Sequence, residues 1–317
     1  MTNTATNPSD RILVIRLGAL GDMVLCFQSF YEIRCAHPGA EIALLTMPVF
    51  MKFAQLMPWF DKVMIDDRTS GWRVDKWHSL VKEIRHFNPG LVYDLQGKFR
   101  QTMLYTSLGG PYGPEWSGAA PLCKYPRIWP PKPGMHFTDF MAAQLQAAHV
   151  PGQDPPDLSW LSAPLNHFSL PERYVLLIPG CAPGRDYKRW PAKRYADLAL
   201  RLREKGIDSI VIGTKQDISA IIGIRQAAPH VIDLSNRTNL PEVASLARRS
   251  MAVIGNDTGP VHLAAAMGAP TLALISDRVD PVWSAPRGIK TRWLQGKPLD
   301  ALGADEVSIA LMKLAAS

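Results

Sequence analysis

Met251–Ser276, MAVIGNDTGPVHLAAAMGAPTLALIS, is the stretch whose reading decides the fold. Met251 to Ile254 is a short apolar run of the kind that makes a buried parallel strand. Gly255-Asn256-Asp257-Thr258-Gly259 is turn chemistry, with Thr258 placed to cap a helix and Pro260 in the first turn, where its missing N–H costs nothing. Val261 to Met267 is apolar and Ala-rich, Gly268 is a natural stop, and Thr271 to Ile275 supplies the next strand. Such a unit aims a helix N-terminus out of the carboxyl edge of a sheet. Unpaired N–H groups and the positive dipole end suit an anion there. Gly259 lets a phosphate approach the backbone, Asp257 can accept from hydroxyls, and His262 follows Thr258 by one helical turn on the same face. Position alone leaves an ordinary strand-to-helix turn and a phosphate site both open.

Outward from that stretch, the same alternation fills the chain. On the amino side, strands are expected at Arg11–Leu17, Ala40–Thr46, Lys62–Ile65 and Leu91–Leu95. Helices are expected at Met23–Cys35, Val49–Met57, Asp75–Phe87, Phe99–Leu108 and His136–Ala148. Gly109 to Gly134, rich in Pro and Gly, reads as irregular. Pro151 to Pro171 has no period and reads as a linker. Beyond it come strands at Tyr174–Ile178, Asp208–Ile212 and Val231–Leu234, with helices at Pro191–Lys205, Asp217–Ala227 and Leu240–Arg249. An amphipathic helix, Asp305–Ala315, closes the chain. Strands alternating with helices at this interval make doubly wound parallel sheets. The expectation is α/β, with two Rossmann-like domains over residues 1–160 and 161–317, a disordered tail at 1–10, and a C-terminal helix returning to the first domain.

Composition narrows the partners. The chain has 317 residues, 47% hydrophobic and 20% charged, which is an ordinary globular balance. Its 35 Lys and Arg against 28 Asp and Glu leave a net charge of +7, which favours acidic partners such as phosphates or anionic lipid surfaces. Cys26, Cys35, Cys123 and Cys181 form no C-x-x-C pair, and free thiols in a reducing cytosol are expected. The polar opening residues hold no apolar leader core, and no run of 18 apolar residues spans a membrane. The absence of D-x-D and of His or Cys pairs at ligand spacing leaves metal-dependent chemistry without support, and G-x-S-x-G is also missing.

Three more places bear chemistry. Gly18-Ala19-Leu20-Gly21-Asp22 follows the first strand without being G-x-G-x-x-G. Asp22 there is either a cap or a general base kept ionised by a helix dipole. Pro179 to Pro191, PGCAPGRDYKRWP, is either a solvated loop or a phosphate-binding one, with Lys188 as its point charge. Gly213 after a strand allows a flat base to approach, and Asp217 is either a helix-start carboxylate or a ligand for ribose hydroxyls.

Three motifs share a resemblance: RLGALGDMVLCFQ (16–28), Lys188-Arg189-Trp190-Pro191, and Asp257-Thr258-Gly259-x-x-His262-x-Ala264-Ala265. Together they resemble the ADP-heptose:lipopolysaccharide heptosyltransferases of glycosyltransferase family 9, and the likeness runs through nearly the whole chain in order. The resemblance implies a GT-B fold, with two facing domains and a cleft, acceptor on the first and nucleotide-sugar on the second. It implies an inverting, metal-independent transfer of heptose from ADP-heptose to the lipopolysaccharide inner core, without a cofactor. Asp22 would be the base and Lys188 the residue on the diphosphate. Gly18, Gly21, Gly213, Asp217, Asp257, Thr258, Gly259 and His262 would join Lys188 around the donor. Trp72-Arg73, Lys98, Arg100, Lys124 and Arg127 would extend a basic surface towards the phosphorylated acceptor. Pro183-Gly184 stands where relatives can carry hydroxyl residues. The protein would be cytoplasmic, in peripheral contact with the inner membrane, and would not act on nucleic acid. Another nucleotide-sugar or acceptor, or a nucleotide binder without catalysis, are the alternatives.

Overall fold

The computed structural model describes residues 10–68 and 73–316. The tail read over residues 1–10 therefore lies outside the described residues apart from Asp10, as does Trp72. The chain divides into two compact units, Met1–Trp160 and Leu161–Ser317.

In the first unit the strands are β1 (Arg11–Ile15), β2 (Glu41–Thr46), β3 (Lys62–Ile65), β4 (Leu91–Asp94), β5 (Glu115–Gly118) and β6 (Tyr125–Pro126). They form one sheet in the order β3-β2-β1-β4-β5-β6, with every pairing parallel. The helices are α1 (Leu20–Leu25), α2 (Phe27–Ala36), α3 (Met51–Ala54), α4 (Val74–Phe87), α5 (Phe99–Ser107) and α6 (Phe137–Ala147). Ile12 to Ile15 are all buried, as a parallel strand covered on both faces requires. The core packs Leu13 and Ile15 with Leu80, Ile84 and Phe87 of α4 and with Trp116, whose ring lies edge-on to Tyr105 at 5.3 Å. Each large aliphatic chain so buried contributes about 1.5–3 kcal/mol against exposure.

The second unit repeats the plan. Its strands are β7 (Tyr174–Ile178), β8 (Asp208–Val211), β9 (Ile232–Asp233), β10 (Ala252–Asn256), β11 (Thr271–Ser276) and β12 (Thr291–Gly296). The order is β12-β11-β10-β7-β8-β9, again all parallel. The helices are α7 (Ala192–Glu204), α8 (Ile218–Ala227), α9 (Leu240–Arg249), α10 (Gly259–Ala266), α11 (Pro281–Ser284) and α12 (Ala304–Ala316). Both sheets thus have the doubly wound order in which chain direction across the sheet reverses beside the first strand. That reversal lies between β1 and β4 in one unit and between β7 and β10 in the other. Ligands in such sheets bind outside the carboxyl ends of those two strands.

Three expectations need correction. The helix read over Met23–Cys35 is two helices broken at Cys26. The one read over Val49–Met57 shrinks to a 3₁₀ turn at Pro48–Phe50 followed by the single turn of α3. Gly109–Gly134 contains β5 and β6, short strands at one side of the sheet that Pro and Gly conceal. The closing helix α12 buries Val307, Leu311 and Leu314 in the core of the second unit. All four cysteines are free, and burial pushes the Cys26 thiol up to about 11, so it is inert at neutral pH. No helix among the described residues is long and apolar enough to cross a membrane.

Candidate active site

The reversal point of the second sheet carries a closed cluster. Thr258 stands at the N-cap of α10 with extended backbone, φ −144° and ψ 162°, but its side chain caps nothing. Its Oγ1 has no hydrogen-bond partner among the described residues, and neither has Nδ1 of His262, a residue only 6% exposed. Lys188 Nζ donates to Asp257 Oδ2 at 2.5 Å, and His262 Nε2 lies 3.3 Å from Asp257 Oδ1. Burial pushes the Asp257 carboxyl up, but the hydrogen bonds and charges of His262 and Lys188 outweigh it and hold it below the ordinary carboxylate range. Here a cation, a carboxylate, an imidazole and a helix N-terminus meet with buried polar atoms to spare. That is the equipment of a site for a polar, anionic ligand.

Asn256, the last residue of β10, holds this cluster in place. Its Oδ1 accepts from Trp190 N at 3.0 Å and from the Tyr195 hydroxyl at 3.1 Å. Its Nδ2 donates to the carbonyls of Pro179 at 2.7 Å and Gly180 at 3.1 Å. One fully buried amide thus ties the loop that bears Lys188 to the ends of β7 and β10. Trp190 anchors the same loop from the other side, donating Nε1–H to Leu302 O at 3.0 Å. Gly255 lets α10 lie close on the sheet, because a Cβ there would come within 2.6 Å of Val261 and of the Ile178 carbonyl. The sequence reading assigned Asn256 to a turn. The available signal was a polar residue closing an otherwise apolar strand.

Asp217 and Gly213 sit beside this loop in a more structural setting. Asp217 Oδ2 accepts from Thr214 N and Oγ1, both at 3.0 Å, and its Oδ1 faces Arg189 at 3.4 Å. A Cβ on Gly213 would come within 2.8 Å of Ile221 and 3.1 Å of Asp217, so the glycine's first use is close packing on α8.

At the reversal point of the first sheet, Gly18, Gly21 and Asp22 stay together at the start of α1. Gly18 has φ +123°, where an L side chain is strained and would in any case meet the Phe50 ring. Asp22 Oδ2 accepts from Ala19 N at 3.0 Å and pairs with Arg16 at 3.0 Å. Its side chain is 45% exposed, against 4% for Arg16. Arg16 in turn donates to Leu95 O at 2.5 Å, and Gln96 Oε1 accepts from Leu17 N at 3.0 Å, so the loops after β1 and β4 are pinned together. Asp22 is therefore both a cap and an open carboxylate. Position in the sequence offered these as alternatives, and they coexist.

The basic residues read as one acceptor surface are scattered. Arg127 turns inward, donating to Gln144 Oε1 at 2.5 Å and to Asp94 O at 2.6 Å behind Gly97. Arg100 grips the buried Asp66 through both nitrogens, at 2.7 and 2.5 Å, with Trp77 under its guanidinium at 5.0 Å. Lys124 pairs with Glu115, where β5 begins, at the amino edge of the sheet rather than the edge that carries Asp22. Arg73 is exposed and pairs with Asp75 at 3.0 Å. Lys98 is exposed at the N-cap of α5. Partners distant in sequence satisfy most of these charges, which a local reading of charge does not reveal. Among the described residues no group of three His, Cys, Asp or Glu side chains is placed to hold a metal ion.

Both units are doubly wound, and the second carries the Lys188–Asp257–His262 cluster where the first carries the open carboxylate of Asp22. The family model for glycosyltransferase family 9 (heptosyltransferase) matches residues 77–284, and the chain belongs to this family. It is a glycosyltransferase. Lipooligosaccharide heptosyltransferase 2 of Haemophilus influenzae is 32% identical over 140 residues, covering 41% of this chain and 40% of that protein. Lipopolysaccharide heptosyltransferase 2 of Escherichia coli is 24% identical over 310 residues, covering 89% of this chain and 87% of that protein. Among solved structures, E. coli ADP-heptose lps heptosyltransferase II matches with a TM-score of 0.77 at 21% identity. The match covers 96% of this chain and 98% of that one, which makes the fold GT-B, two Rossmann-like units in one chain.

Proposed function

We propose that this protein is an inverting, metal-independent transferase that moves a heptose from ADP-heptose to a lipopolysaccharide inner-core acceptor. Family membership supports the reaction class, and the Lys188–Asp257–His262 cluster at the start of α10 carries the reading of the site. In this reading residues 1–160 take the acceptor and residues 161–317 the donor. Asp22 removes the proton of the acceptor hydroxyl, whose oxygen then attacks the anomeric carbon from the side opposite the diphosphate. The bond to ADP breaks, its electron pair leaves with the diphosphate, and the configuration inverts. Lys188 and the N–H groups of Thr258 and Gly259 take up the growing negative charge, in place of a metal. Asp257, released in part from Lys188, accepts from sugar hydroxyls, with His262 steadying it. Asp217 meets the ribose through whatever lone pairs Thr214 and Arg189 leave. Lys98 and Arg73, exposed among the acceptor candidates, meet acceptor phosphates. The enzyme works in the cytoplasm, in peripheral contact with the inner membrane.

Incubation with ADP-heptose and a panel of truncated core acceptors, followed by mass spectrometry of the acceptor, tests this directly. Transfer to one acceptor with release of ADP is the expected result. Tight ADP binding without transfer to any acceptor leaves a nucleotide binder, and transfer from a different nucleotide-sugar redefines the donor.

A further inference from the structure

Residues 127–135, which follow β6, leave the carboxyl edge of the first sheet with an unusual surface. Ile128 is 66% and Trp129 72% exposed, and Phe99, which follows β4 at the same edge, is 79% exposed. The two places adjoin, since Arg127 reaches back to Asp94 O behind Gly97. Trp129 is not loose: its ring lies edge-on to Phe140 with centroids 6.0 Å apart. A cavity of about 320 Å³ is walled by Ile128, Pro131, Met135, Phe140 and Ala143, with Lys132, Gln144 and Gln146 also lining it. From Trp116 to Thr138 the sequence contains no carboxylate, whereas Lys124, Arg127 and Lys132 fall within it. Lys98 and Lys132 are exposed beside the apolar side chains.

We propose that this corner docks on an anionic phospholipid bilayer, with Ile128, Trp129 and Phe99 entering the interfacial layer and Lys132 meeting lipid phosphates. It rests on, and gives a location to, the reading of the enzyme as peripheral at a membrane. Tryptophan with one apolar face and one polar N–H suits that interface. Each nearby lysine adds attraction to a negative leaflet. Two aromatic rings, partly covered as they are, and one isoleucine offer roughly 500–600 Å², short of the roughly 800 Å² per partner of a stable protein interface. A lipid surface needs no such closed footprint. The cavity beside Ile128, with mostly apolar walls, gives the end of one acyl chain somewhere to go.

The test is sedimentation of the full chain with vesicles of phosphatidylethanolamine and phosphatidylglycerol, and with vesicles of phosphatidylcholine alone. Binding to the anionic vesicles is expected, with weaker binding to the neutral ones. The double variant Ile128→Ser/Trp129→Ser should lose more than about tenfold in partition, and Lys132→Gln roughly fivefold. Lys132 is exposed, so its replacement leaves the fold intact, and thermal melts of both variants check this. Heptose transfer to a soluble acceptor without acyl chains should be unchanged in these variants, which separates membrane docking from the catalytic reading. Failure of the native chain to bind anionic vesicles, or equal binding by the variants, would overturn the inference. So would a concentration-dependent dimer that these substitutions abolish without any vesicle binding.

Discussion

Asp94 and Asp257 hold equivalent places in two sheets of the same order, one ending β4 and the other just past β10, and their environments oppose each other. Asp94 is buried with Oδ1 accepting only backbone N–H groups, from Gln96 at 3.0 Å and Gly97 at 2.8 Å. Burial pushes its carboxyl above the usual range, and Arg127, those N–H bonds and Arg16 offset this only in part. Asp257 is similarly buried, yet its two oxygens face Lys188 and His262, and its carboxyl is held low. The same topology therefore gives two different devices. Around Asp94 the carboxylate shapes a loop, and the more open carboxylate at this end of the sheet is Asp22, in the first turn of α1 after the neighbouring strand β1. Around Asp257 a lysine and an imidazole face the two carboxylate oxygens beside the start of α10, and the carboxylate meets side chains instead of backbone.

The sharpest way to break this contrast is to replace Asp22 by Asn. Turnover should fall by roughly 10²–10⁴-fold, the usual share of a general base, with ADP affinity by calorimetry almost unmoved. A parallel loss of ADP affinity would relocate Asp22 from acceptor chemistry to nucleotide binding. Next in size is Lys188→Ala. It removes the cation from the diphosphate and leaves Asp257 buried with His262 alone, so kcat/KM for the donor should drop roughly 10²–10³-fold. An effect confined to protein stability would reduce the pair to a structural ion pair.

Asn256→Leu comes third and acts on the scaffold. It removes the acceptor for Trp190 N and the Tyr195 hydroxyl and strands two carbonyls, at a cost of about 2–4 kcal/mol in urea unfolding. Donor KM should rise with it, because Lys188 rides on that loop.

The smallest effects concern the two carboxylates themselves, as stability against pH. Asp257 has a depressed folded-state value, so its contribution is present above the unfolded value near ~3.9 and is lost as pH falls through the folded one. Asp257→Asn should thus narrow its gap to the native chain in acid. Asp94 runs the other way. Its raised folded-state value gives stability below ~3.9 that is lost as pH climbs through the folded value. Asp94→Asn keeps an oxygen for Gln96 and Gly97, and should gain on the native chain as pH rises. Chemical denaturation from acid to neutral pH reads both trends, and parallel trends would erase the contrast between the two sites.

Much of this was legible residue by residue. Strands such as β3 and β7, and helix α9, stand where apolar periodicity and Gly or Pro punctuation put them, because those signals are local. Lys188, Asp257 and His262 were legible as candidates for the same reason: they lie in short motifs beside strand ends. The pairing between them was not, since 69 residues separate Lys188 from Asp257. Asn256 was missed because its importance lies in four partners gathered from three places in the chain. Among the acceptor-side charges, Arg127 and Arg100 have partners far away in sequence, at Asp94 and Asp66, which a local reading of charge does not show. The short strands β5 and β6 were hidden because a short strand gets its identity from its neighbour's backbone, not from its own side chains.

What the sequence determined by itself is the alternating α/β rhythm, the two-unit plan and the motifs that identify the family, all set by turn chemistry and hydrophobic period over a few residues. What only the tertiary structure decided is which charges are spent and which are offered. Asp22 stays open while Asp94 closes, and Lys188 is held by Asp257 while Arg127 is turned inward. The reason is physical: a side chain's charge state and availability depend on burial and on partners that only folding brings within hydrogen-bonding distance.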